Sequence, residues 1–300
     1  MQDKAKAMVI ASFAGDSLAL GAHWIYDTQM IEAEFGRIEG LLDAVPNSYH
    51  ATKRRGAFTH YGDQTMVLLE SLAARKRFDL SDFSERWRAL FREYNGYLDK
   101  ATKATMMNFD SGAGPATSGS SSTDLAGAGR IAPLVYALRS DPEGLVESAR
   151  AQTRMTHNNP LVIDSAEFFA RVVRKVLDGG SPVSVIREVA GEPFKDAPIA
   201  EWVSDGLGSV NRESAPAIGR FGQSCHTAQA FPSVIHLIAK YESNLKDALI
   251  ENVMAGGDSA ARGMIEGMVL GAWLGAEGIP EEWISGLVEG AKIESLLDEV

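Results

Sequence analysis

The chain has 300 residues, 45% of them hydrophobic, and a net charge of −11 from 40 acidic and 29 basic residues. Such a length and apolar content suit a globular protein with a sizeable core and exclude an intrinsically disordered chain. The acidic balance argues against a broad nucleic-acid face, and the single cysteine, Cys225, excludes an internal disulfide and the usual zinc-finger patterns.

In chain order, the first helical period covers residues 4–22. Lys4 and Lys6 before "AMVIASFAG" imitate a signal peptide, but Asp16 interrupts the run and the amphipathic pattern continues through Leu18 and Leu20. The segment therefore reads as a first core helix of an intracellular, cytoplasmic protein. Helical spacing returns at 64–77 and at 80–98, where Ser81 precedes "DFSERWRALF" as a candidate cap. Residues 108–129, "NFDSGAGPATSGSSSTDLAGAG", form a Gly/Ser-rich stretch that is either a linker or a ligand-binding loop. The apolar run "RIAPLVYAL" resumes at once, which favours a loop inside one domain. Further helical periods occupy 131–139, 161–177, 226–241, 244–254 and 259–276, and Asp141-Pro142 and Ser181-Pro182 open two more. Arg262 and Glu266 break the longest membrane-span candidate. No stretch alternates like a strand, so the expected fold is all-α, with residues 1–300 as one domain.

The last long helix carries Gly263, Gly267, Gly271 and Gly275 at intervals of four, one stripe on one face. Each costs about 1 kcal/mol relative to alanine in a helix. Close approach of another helix explains such a stripe, and the small residues Ala7, Ala11, Ala14, Gly15 and Ala19 nominate the first helix as its partner.

Two stretches put an aspartate at the start of a buried helix. "THYGDQTMVLLESL" carries Asp63, and "GGDSAARGMIEGMVLGAWLG" carries Asp258. Either residue could cap its helix, or the two could be halves of one site. His23, His60 and His157 lie near these stretches and suit acid–base work. Cys225 beside His226 permits a nucleophile reading, although an isolated cysteine is more often a buried small hydrophobe. His236, in "SVIHLIAKY", reads as structural.

The order of these segments resembles the ADP-ribosylglycohydrolase family. "GDSLALGAHWIYD" at 15–27, "YGDQT" at 61–65, "GAGRIAPL" at 127–134, "TH" at 156–157, the Gly-Gly-Asp segment at 256–258 and "GIPEEW" at 278–283 carry the likeness. "AHWIYD", "THYGDQ" and "FGQSCHTAQAFPSVIHL" are similar to its J1-crystallin-like branch. The resemblance implies an all-α orthogonal helical bundle and two Mg²⁺ ions held by the two Asp-rich motifs. It also implies cleavage of the bond joining ADP-ribose to a side chain or small group. Carried over, the metal ligands are Asp63, Asp258 and Thr65. The expected catalytic set is Asp63 and Asp258 with His60 and His23, the histidines standing in the motif segments as acid–base groups of a rebuilt site. His157, Arg130, Gly127, Gly129 and Gln64 would contact substrate.

The departures matter. Gly62 replaces the opening threonine of the early motif and Gln64 its second aspartate, while Ala260 and Ala261 replace the second aspartate and last threonine of the late one. The family's early glutamate has no counterpart near His23 to Tyr26. With half the carboxylates gone, Mg²⁺ affinity is expected to be weak or absent. The functional expectation is a hydrolase of an ADP-ribosyl or related bond with a reduced metal site. The alternatives are a non-catalytic binder of a nucleotide-like ligand and a crystallin-like structural protein. Asp63, Asp258 and His157 are expected to line one cleft.

Overall fold

A computed structural model describes the backbone of residues 2–300 and the side chains from residue 4 onward. Among these residues the chain is all-α, as expected: seventeen α-helices and one short 3-10 turn, with only two isolated β-bridges and no strand. One hydrophobic cluster runs from Ala5 to Leu297 and joins both ends of the chain in a single core. None of the described helices is long and apolar enough to cross a membrane.

The most extensive helix contact is between the first helix, Gln2–Ala19, and the glycine-striped helix, Ser259–Leu274. A Cβ on Gly267 would lie 2.2 Å from the Ala11 carbonyl oxygen, and one on Gly271 would lie 2.9 Å from that of Ala7. On the facing helix, a Cβ on Gly15 would come within 2.2 Å of the Gly263 carbonyl oxygen. The stripe is thus a backbone-to-backbone seam, which is how the helix tolerates its low propensity. The last member, Gly275, ends the helix in a left-handed conformation at φ 75°.

The periodic segments form helices close to the expected bounds, except that the one expected over 80–98 ends at Arg92, and two starts need correction. The early-motif helix spans His60–Arg75, and Thr59 caps it by accepting a hydrogen bond from the Tyr61 N–H. Asp63 therefore lies inside the first turn and does not cap. The next helix, Leu80–Arg92, is capped by Asp79, which accepts from the Ser81 and Asp82 N–H groups, so Ser81 is not the cap. Helices at Thr28–Phe35 and Lys100–Asp110 had no readable period. The first buries only Ile31, and the second buries two threonines.

The Gly/Ser-rich stretch is no linker. The Ser120 N–H donates to the Thr156 carbonyl at 3.0 Å, the Asn158 N–H to Ser120 at 2.7 Å, and the Leu125 N–H to Cys225 at 2.9 Å. These bonds seat the loop between the end of helix Pro142–Thr156 and the start of helix Thr227–Lys240.

Gly267→Ala is expected to lower unfolding free energy by more than ~3 kcal/mol, because backbone lies where its methyl must go. At Gly219, within helix Ser214–Phe221, nothing lies within 4 Å of an added Cβ. Gly219→Ala is expected to raise stability by about 0.5–1 kcal/mol. Urea denaturation of both variants checks the pair.

Candidate functional site

Asp258 is placed by a left-handed turn. Gly256 and Gly257 have φ 70° and 69°, and a Cβ on Gly257 would lie 2.1 Å from the Gln223 carbonyl oxygen. The Gly257 N–H donates to the Ile25 carbonyl at 2.7 Å, and the Trp24 N–H donates to the Gly257 carbonyl at 2.9 Å. Trp24 is itself left-handed at φ 67°, a rare state for a bulky residue. This two-way lock joins the end of the first motif to the start of the late one. Asp258 then caps helix Ser259–Leu274, accepting the Ala261 N–H at 3.3 Å.

Capping is not all that Asp258 does. The Tyr61 hydroxyl lies 3.0 Å from Asp258 Oδ2 and 3.2 Å from Asp124 Oδ2, in a setting closed to solvent around Tyr61 and Asp258. One phenolic proton cannot serve two carboxylates, so the second contact requires a proton on one carboxyl. Electrostatics agrees. Burial, followed by the charges of Asp258 and Asp99, holds the Asp124 carboxyl well above its ordinary range, and burial raises Asp258 against the pull of Arg262. The Cys225 sulfur lies within 4.8 Å of oxygens of both carboxyl groups, and burial with those two charges pushes the thiol pKa upward. Cys225 is therefore a neutral thiol here and not an activated nucleophile.

Beside Asp124 opens a cleft of about 470 Å³, lined by Trp24, Tyr26, Tyr49 and Tyr97, by Asp99, Asp124 and Cys225, and by Lys100 and His226; Asp258 is fully buried and does not line it. Trp24, Tyr49 and Tyr97 meet edge to face with ring centroids 4.9 to 5.1 Å apart. Tyr26 and Tyr49 are half exposed and form its rim.

Histidines pack behind the aromatic wall. His23, His50 and His60 have ring centroids 5.2 to 6.4 Å apart. His60 Nε2 lies 3.1 Å from Asp99 Oδ2. Burial opposes the charge on Asp99, but the adjacent His60 ring and the Thr102 N–H, which donates to the carboxylate, together outweigh it and hold the carboxyl below its usual range. Burial pushes His23 well below its ordinary value and His50 down to about 3, so both are neutral at pH 7.

The remaining candidates lie elsewhere. Asp63 is two residues past Tyr61, about 200° around the helix, and turns away from Asp258. It pairs with Lys53 and accepts from the Tyr94 hydroxyl, on the side where Asp16 is buried. Thr65 donates back to the Tyr61 carbonyl at 2.9 Å. Gln64 accepts from the Trp87 indole at 2.8 Å and from Arg130 at 2.6 Å. Arg130 is buried, also donates to the Thr156 hydroxyl, and is lowered to about 10 by burial. His157 shares a 2.9 Å bond between Nδ1 and Thr156, and burial and Arg130 lower it to about 3. Gly127 and Gly129 are buried in the short helix Ala126–Gly129. A Cβ on Gly127 would sit 2.7 Å from the His157 ring.

Residues that sequence reading passed over are Tyr61, Asp99, Asp124, His50 and the aromatic wall. Asp124 carried one usable signal, a single carboxylate at the exit of the Gly/Ser-rich loop. Asp99 and Tyr97 sit in a connection with no motif.

The ADP-ribosylglycohydrolase family profile matches residues 1–300. The chain belongs to the ADP-ribosylglycohydrolase family. Crystallin J1A of Tripedalia cystophora is 23% identical over 315 residues, covering 100% of this chain and 96% of the relative. The ADP-ribosyl-[dinitrogen reductase] glycohydrolase of Rhodospirillum rubrum is 24% identical, covering 96% and 91%. A solved ADP-ribosylglycohydrolase-related protein complex superposes with a TM-score of 0.78 at 21% identity, covering 99% of this chain and 96% of that one. Its likeness shows the fold.

Among the described residues, one group of side chains could hold a metal ion: Asp124, Cys225 and Asp258, with ligand atoms within 4.8 Å of one another. The two-ion magnesium cage implied by the family resemblance does not fit this member. Asp63 is already neutralised by Lys53, Thr65 is turned onto its own helix, and Tyr61 occupies the face toward Asp258.

Asp63→Asn is expected to cost about 1 kcal/mol, the scale of a partly exposed ion pair with one hydrogen bond. Tyr61→Phe removes the hydroxyl that bridges two buried carboxyl groups and is expected to cost about 2–3 kcal/mol. Urea denaturation at pH 7 checks the order of the two.

Proposed function

We propose that this member hydrolyses a glycosidic bond of an ADP-ribosyl or closely related conjugate, bound in the cleft beside Asp124. The observation that carries the reading is the cleft itself, with aromatic faces at its rim and buried acidic groups at its floor. Family membership supplies the substrate class. The aromatic wall offers stacking surface to a base or sugar, and Tyr49, half exposed, is placed to fold over it. Asp124 lines the cleft, and with Asp258 buried beside it places negative charge in a water-poor setting. That charge opposes the positive charge developing at the anomeric carbon as the bond breaks. Tyr61 fixes both carboxyl groups, and the His60–Asp99 contact holds a further carboxylate ionised on the cleft wall.

The neutral histidines do not supply a proton at pH 7 in this scheme; they position the wall. His157 and Arg130 act from behind, through Gln64 and Thr156, and shape the floor without reaching substrate. Magnesium enters no step.

A second reading has its own support. Crystallin J1A and Crystallin J1B are relatives at 23% identity across this chain, and Asp63 is diverted into an ion pair. Under that reading the cleft is a remnant and the protein is structural.

The test is release of free ADP-ribose from an N-linked arginine conjugate and an O-linked serine conjugate. Turnover of at least one is expected. Asp258→Asn should lower kcat by about 100-fold or more, and Tyr49→Ala should raise KM with little change in kcat. A folded wild-type protein that neither binds ADP-ribose nor cleaves either conjugate supports the structural reading.

A further inference from the structure

We propose that Asp124, Asp258 and Cys225 form a single-cation site that selects a borderline transition ion such as Zn²⁺ or Co²⁺ over Mg²⁺. Three features support it independently of the hydrolase reading.

The first is the donor set. Two carboxylates and one sulfur place their ligand atoms within 4.8 Å of one another, on three separate segments: the end of the Gly/Ser-rich loop, the turn before helix Thr227–Lys240, and the cap of helix Ser259–Leu274. Three protein ligands with one position left over is the pattern of an open zinc site. A thiolate suits zinc or cobalt far better than magnesium, which wants six hard oxygens in an octahedron.

The second is an orphaned donor aimed at the cluster. His23 is buried, and its Nε2 lies 3.9 Å from Asp258 Oδ1 with no hydrogen-bond partner. Its Nδ1 accepts the Ala260 N–H at 3.4 Å, which leaves the ring proton on Nε2, facing the carboxylates. A buried donor without an acceptor is costly. An oxygen brought in at the fourth position of a bound cation supplies that acceptor.

The third is that the early-motif donors are already committed. The early motif contributes nothing: Gln64 and Thr65 are spent on Arg130, Trp87 and the Tyr61 carbonyl. The cation position has moved from the paired motifs to the late motif and the Gly/Ser-rich loop.

The experiment uses the full chain, stripped with chelator and titrated with Co²⁺, reading the sulfur-to-cobalt charge-transfer absorption. Competition by Zn²⁺ and Mg²⁺ follows. One equivalent of Co²⁺ with a charge-transfer band is expected, displaced by Zn²⁺ and not by millimolar Mg²⁺. Cys225→Ser should abolish the band and weaken Zn²⁺ at least tenfold, and Asp124→Asn should weaken Zn²⁺ similarly. Melting temperatures show whether the variants fold, and Cys225→Ala serves if the serine variant does not. Cobalt binding without the band, Zn²⁺ affinity unchanged in a folded Cys225→Ser, or tighter binding of Mg²⁺ than of Zn²⁺ would each overturn the assignment. A cobalt band in a protein that cleaves no conjugate would leave the ligand set standing and remove the hydrolase reading. Cleavage with Mg²⁺ at full rate in Cys225→Ser would do the reverse.

Discussion

The contact on which everything else depends is the seam between helices Gln2–Ala19 and Ser259–Leu274. Glycines let the two backbones touch, so the ends of the helices are fixed relative to each other with little slack. At the end of one helix sits Asp258. Near the end of the other sits Asp16, which accepts hydrogen bonds from the Thr59 N–H at 2.7 Å and the Thr59 hydroxyl at 2.5 Å. Thr59 caps the early-motif helix and so sets the position of Tyr61. Tyr61 then reaches back to Asp258. The loop of contacts closes on itself: seam, Asp16, Thr59, Tyr61, Asp258, seam. Burial raises Asp16 to about 6, so this link costs stability progressively as pH rises from about 4 to about 6.

The same closure explains why the aspartates play unequal parts. Asp16 fills the space beside Gly62, where an added Cβ would lie 2.6 Å from its carboxylate. A larger residue at Gly62 would push the early helix away. With Tyr61 set toward Asp258, helical geometry turns Asp63 to the opposite side, where Lys53 and Tyr94 receive it. Asp258 caps its helix and also meets Tyr61. Asp63 is neither a cap nor a neighbour of Asp258.

Much of the fold was legible because its signals are local. The glycine stripe and the small residues of the first helix name each other as partners, and the Asp141-Pro142 and Ser181-Pro182 pairs mark two helix starts. Helix Thr28–Phe35 was invisible because one buried isoleucine makes no period. The site was half legible. Asp258, His23, His60 and His157 lie inside motifs, whereas Asp99, Asp124, His50 and Tyr97 join the candidate site only through tertiary contacts. The register of the early motif misled for a physical reason. Spacing along a helix fixes which residues share a face, but not which face meets the cleft, and a tyrosine at the first turn outcompetes the aspartate two places on.

The measurement that tests this account most directly is a crystal structure of the protein soaked with ADP-ribose and Zn²⁺. The account predicts the cation between Asp124 and Asp258, the ligand beneath Tyr49, and Asp63 still paired with Lys53. A cation coordinated by Asp63, with Lys53 displaced, or ligand bound away from this cleft, would contradict it.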